Sequence, residues 1–319
     1  MLNIMENKGF IIFFSLIIIL ISGILTVIIH ETGHLLGGIM SGYRFRYLKI
    51  LFFEFIYIGK SEKSIGTPEK GMVRFRLSLK GPVGQCIMVT ECCNASPELL
   101  IMGGCLANVI AAAISACAAA WILYGKSKGV TVADEMGICQ LFSKDIPVQI
   151  LFGTAVLNFI FGIFNYLGGS ETSDGKTLRE VKCQRYNRRA YNSLMKIYEC
   201  ILRGKPLSEV SDNLFFIRSV KSSLTAELLY YECRRKMESG EKGKVSEDEI
   251  TRVKERLRIL TGCGYRQLEA MAAEELKILE KKNECGREIV RNVCCTDSDA
   301  CFSGGMGGTG SKNAGTQKS

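Results

Sequence analysis

The residues most able to do chemistry lie in the stretch Val27–Gly38, "VIIHETGHLLGG", which holds the only two histidines among 319 residues. On a helix, positions i and i+4 share a face, so His30 and His34 can present both imidazoles to one ion. Glu31 adjoins the first and reaches the same cavity from the side. This H-E-x-x-H spacing suits zinc hydrolysis: the histidines hold Zn²⁺ and the glutamate takes a proton from the water that the metal activates. The competing account is a chance match, with histidines packed and hydrogen-bonded in a helix bundle. Against it, ionisable side chains in an apolar span are expensive and usually functional.

A catalytic zinc with two histidines needs a third protein ligand and one position left for water. With no third histidine in the chain, that ligand is expected to be an acid near a membrane surface. The stretch "FNYLGGSETSDGKTL", at the end of the third apolar run, offers Asp174, followed by the turn-permitting Gly175, with Glu171 as its competitor. Asp145 and Glu135 fall on the wrong side. The 14 cysteines are scattered and read as free thiols of a reducing compartment rather than a secreted disulfide framework. Cys285, Cys294, Cys295 and Cys301 lack the paired spacing of a zinc site.

The elements that must position these groups are membrane helices. A hydrophobic content of 47% and a mean hydropathy of +0.14 conceal two unlike halves, apolar up to about residue 169 and charged beyond it. Against a requirement of roughly 20 apolar residues per span, residues 10–40, 101–124 and 147–167 qualify. The first is too long for a signal peptide and lacks a basic leader and a small-residue cleavage site. The second is rich in small residues that suit close packing in lipid. Lys and Arg concentrate in 43–100 and just after the third span, which predicts that both face the cytoplasm and that the N-terminus lies outside. The expected fold is mainly α: a polytopic protein of the cell membrane with about three transmembrane helices. A small β-containing cytoplasmic insertion and a helical cytoplasmic tail complete it, with the site toward the cytoplasm.

Within 43–100, "YRFRYLKILFFEFIYIG" and "GMVRFRLSLKG" read as two strands. They could add an extended peptide to an exposed edge, cap the site, or bind anionic headgroups. Strand addition matters because a helical substrate hides its scissile carbonyl in i→i−4 bonds. The expected division is a membrane core over 1–180, a soluble helical domain over 181–295 and a disordered Gly/Ser-rich tail over 296–319. Four amphipathic stretches fill the soluble domain. The first two close at Gly204 and Gly240, and the third opens on a Ser246/Glu249 capping box.

With His30-Glu31-x-x-His34 in a first span and Asp174-Gly175 after a third, the chain resembles the site-2 proteases, intramembrane zinc metalloproteases. The resemblance covers about residues 10–180. Two further motifs are similar with a departure each: Phe164-Asn165-Tyr166-Leu167 is followed by Gly168 where that family has proline, and Gly103-Gly104-Cys105…Asn108 carries Cys105 in place of proline. The resemblance implies one Zn²⁺ per chain on His30, His34 and Asp174, Glu31 as general base, and Asn165 directed at the site to steady the oxyanion or the substrate backbone. It implies membrane-spanning peptides or proteins as substrates, the lipid bilayer as surroundings, and no nucleic acid. Rival functions are a non-proteolytic zinc- or peptide-binding protein of export or immunity, and a transporter or channel using the histidines as proton or metal sites.

Overall fold

The computed structural model describes residues 8–58, 72–92, 94–127, 145–168, 173–217, 219–241 and 246–281. Glu135, Glu171, Cys285, Cys294, Cys295, Cys301 and the Gly/Ser-rich end lie outside them. The chain is mainly helical with one small antiparallel sheet. Three helices are long and apolar enough to cross a membrane: α1 (Lys8–Met40), α2 (Glu98–Ser127) and α3 (Ile146–Leu167). Each runs one to three residues past the expected span at one end or both.

Glycines set how α1 and α2 cross. A Cβ on Gly103 would land on the Gly33 carbonyl oxygen, and one on Gly37 would land on that of Leu99. In lipid, where apolar burial drives little association, such close backbone approach and interhelical hydrogen bonds hold helices together. The α1–α3 seam uses hydrogen bonds. Ser22, Thr26, His30 and His34 recur every fourth residue on one face of α1. Asn158 Nδ2 donates to Thr26 Oγ1 at 3.1 Å, and Thr154 Oγ1 donates to Ser22 Oγ at 3.4 Å. These contacts place the C-terminal end of α1, the start of α2 and the end of α3 at one end of the bundle.

The insertion is a four-stranded sheet, β1 (Arg44–Ile50), β2 (Phe53–Ile58), β3 (Met72–Leu77) and β4 (Gly84–Val89), in the order β3-β2-β1-β4. The first expected strand is two strands folded at Leu51, whose φ of 58° makes the turn. Strand β4 had no counterpart in the sequence reading. It lies at the edge, and Gly84 faces α1: a Cβ there would land on the Glu31 carboxylate.

Beyond α3, Gly168 adopts φ 77° and its N–H bonds the Phe164 carbonyl at 3.3 Å, which stops the helix without the proline. The remaining helices are α4 (Asp174–Cys183), α5 (Arg185–Leu202), α6 (Ser223–Glu241), α7 (Glu247–Leu260) and α8 (residues 266–281). Gly204, at φ 70°, closes α5 as expected, whereas α6 continues through Gly240. Ser246 caps α7 by accepting from the Glu249 N–H, but the Glu249 carboxylate bonds Lys236 rather than completing the box. Leu194, Ile197, Leu228 and Leu257 are fully buried in the core of this bundle. Helix α4 crosses the expected boundary at residue 180, and α5 is tied to the start of α2 by Arg188–Glu98 at 2.5 Å.

Candidate metal centre

Three donor atoms converge between α1 and α4. His30 Nε2 and His34 Nε2 are 3.1 Å apart, and Asp174 Oδ2 lies 3.1 Å from the first and 3.2 Å from the second. His30, His34 and Asp174 form a group that could hold a metal ion. Glu171 lies outside the described residues, and Asp145 pairs with Lys126 at the far end of the bundle.

Each imidazole is oriented from behind. His34 Nδ1 lies 2.8 Å from the Leu100 carbonyl, which can only accept, so Nδ1 carries the proton and Nε2 offers its lone pair. His30 Nδ1 lies 3.1 Å from Asn108 Nδ2, inside the α1–α2 contact. With Nδ2 toward the ring, the Asn108 Oδ1 is buried without a partner among the described residues. A half-turn of the amide lets Oδ1 accept Nδ1–H and frees His30 Nε2 for a metal. With the amide so turned, both imidazoles present Nε2 to a metal. Gly104 leaves room for the rings, since a Cβ there would crowd His34 Nε2 and His30 Cε1. The sequence reading held Asn108 only as a motif letter. Asn108→Leu is expected to weaken metal affinity roughly 10–100-fold, read by competition with a metallochromic chelator; unchanged affinity would remove Asn108 from this role.

Asp174 is the first residue of α4, and Gly175 has a helical rather than a turn role. A Cβ on Gly175 would land on the Tyr166 carbonyl oxygen, so the glycine lets α4 press against the end of α3. Asn165 clasps the aspartate from that end: its Oδ1 accepts the Asp174 N–H at 3.1 Å and its Nδ2 donates to Asp174 Oδ2 at 2.7 Å. The same Nδ2 lies 3.1 Å from His30 Nε2. Burial alone would raise the Asp174 carboxyl, but bonds and charge from the two histidines hold it well below the usual carboxylate range.

The group opens into a cavity of about 460 Å³ that Glu31 also lines. Glu31 is 6% exposed, and its Oε2 has no hydrogen-bond partner among the described residues. Opposite stand Gly84, Gln85 and Cys86 of β4, with Phe161 edge-on to His30 at 5.1 Å. Burial, then the Glu31 charge, pushes the Cys86 thiol up to about 12. Its sulfur is not among the three converging donor atoms, which leaves ligation to the imidazoles and the carboxylate. Thr177 of α4 and Tyr191 of α5 close the cavity from the tail side, a contribution that local spacing could not reveal. No protein-family model, no curated protein and no solved structure matches this chain.

Proposed function

We propose that the chain is an intramembrane zinc endopeptidase resembling the site-2 proteases. The observation that carries this reading is the triangle of His30, His34 and Asp174 donor atoms, 3.1–3.2 Å on a side, with Glu31 in the same cavity. Tetrahedral zinc with ligands at about 2.0–2.1 Å sets neighbouring donors roughly 3.3 Å apart. Two imidazoles and one carboxylate, with a position left open, are a catalytic zinc donor set.

Zinc bound there supplies the Lewis acidity that makes water nucleophilic near pH 7 and polarises a peptide carbonyl. Glu31 takes the proton of the attacking water on its unpartnered oxygen. As hydroxide adds to the carbonyl carbon and the C–N bond breaks, Glu31 returns that proton to the leaving nitrogen. Asn165 and Asn108 hold Asp174 and His30 in place. The Gly84–Cys86 half of edge strand β4 lies beside the site with no second strand paired to it among the described residues, suited to an extended segment of a membrane peptide. The basic sheet insertion and tail support a cytoplasmic placement. A non-proteolytic binder would have no use for a buried carboxylate oxygen, beside the ligands, that has no partner among the described residues.

The test is cleavage of labelled single-span peptides by purified protein in detergent. Chelation is expected to abolish cleavage, and one equivalent of zinc per chain to restore it. Cleavage that survives complete removal of zinc would overturn the proposal.

A further inference from the structure

Resting on the endopeptidase reading, we propose that the Tyr191 hydroxyl belongs to the active site, donating a hydrogen bond to the substrate carbonyl oxygen as that oxygen gains negative charge. The soluble tail would then supply a catalytic residue to a membrane-embedded centre.

Tyr191 lines the same cavity as His30, His34, Glu31 and Asp174. The residue is 8% exposed, and its hydroxyl makes no hydrogen bond to any described residue. A hydroxyl that lines a cavity and is not engaged by the fold is available to donate to a ligand there. The phenol has the right form for this. Burial above all raises it far above its ordinary value, so it keeps its proton throughout the neutral range.

The ring is also held still. Its neighbours on α5, Ala190 and Leu194, are buried in the tail core. Asn192 Nδ2 donates to the Ala95 carbonyl at 3.0 Å, and the Tyr43 hydroxyl donates to Asn192 Oδ1 at 2.8 Å. With Arg188–Glu98, these contacts fix α5 to the start of α2, one turn from the Leu100 carbonyl that orients His34. A donor fixed in advance in a water-poor site is the arrangement that stabilises a developing oxyanion. Tyr191 makes no claim on the proton that Glu31 carries; it donates a hydrogen bond and keeps its own proton.

The experiment compares wild type, Tyr191→Phe and Glu31→Gln as full-length proteins in detergent. Substrate is the labelled single-span peptide that wild type cuts fastest. Tyr191→Phe is expected to lower kcat roughly 10²-fold with KM, zinc content and Tm near wild type, since the hydroxyl makes no hydrogen bond to a described residue. On cobalt-substituted protein, its visible spectrum should match wild type, while a peptide hydroxamate binds about tenfold more weakly. If wild type cleaves, Glu31→Gln does not, and Tyr191→Phe has wild-type kcat and hydroxamate affinity, the tyrosine proposal is overturned and the protease reading stands. A fall in zinc or Tm parallel to the loss of kcat would show a structural role and overturn it too. If wild type cleaves no better than Glu31→Gln, both proposals fall together.

Discussion

Glu31→Gln is expected to retain one zinc per chain and to lose cleavage by roughly 10²–10⁴-fold, the range that a positioned general base contributes. The substitution preserves volume and removes only the ability to take a proton. Glu31 lies against Gly84 of β4, and one of its oxygens has no partner among the described residues. The fold therefore should not depend on its charge, and the Gln variant should be at least as stable as wild type. None of the three donor atoms belongs to Glu31, so metal content should not change. Zinc analysis and cleavage measured on one preparation decide the matter. Loss of zinc along with activity would mean that Glu31 shapes the ligand site instead of serving as the base, and full activity would mean that the proton leaves elsewhere.

Gly175→Ala should have an effect out of proportion to one methyl group. All three donors remain, yet the added Cβ meets the Tyr166 carbonyl oxygen and crowds that of Asn165. Neither backbone atom can yield as a flexible side chain would, so α4 must move off the end of α3 and take Asp174 with it. The clasp from Asn165 loosens in the same step. Zinc affinity is expected to fall at least roughly 10–100-fold, as when ligand-orienting contacts are lost, with cleavage falling in parallel. Gly23→Ala is the control, because its Cβ would meet nothing within 4 Å. Equal zinc affinity in the two variants would contradict the account of Asp174 placement.

His30, Glu31 and His34 were legible because helical periodicity alone puts them on one face. Asp174 could be narrowed only to an acid near the end of the third span, since ligation across two helices depends on packing that no local pattern records. Gly175 was read as turn-permitting because glycine serves turns and close approaches alike; the positive φ sits at Gly168 instead. Asn165 was expected to face the site, and its amide touches both Asp174 and His30. Strand β4 escaped notice because Gly84, Gln85 and Cys86 lack apolar alternation, being fitted to the cavity and to Glu31. Asn108 and Tyr191 were out of reach for a different reason: their significance lies in which distant atoms they meet, His30 for one and the cavity for the other.

The placement of Asp174 beyond the third helix has a consequence for how the protein is born. The first two donors and the third are separated by roughly 140 residues, which a ribosome at about 5–20 residues per second takes on the order of ten seconds to add. During that interval the histidines and Glu31 sit in a chain whose remaining ligand does not yet exist. Tyr191 arrives later still. A nascent or truncated chain that ends within α3 carries the entire H-E-x-x-H motif but lacks the third donor, so the group that could hold a metal assembles only when α4 has folded back against the membrane bundle.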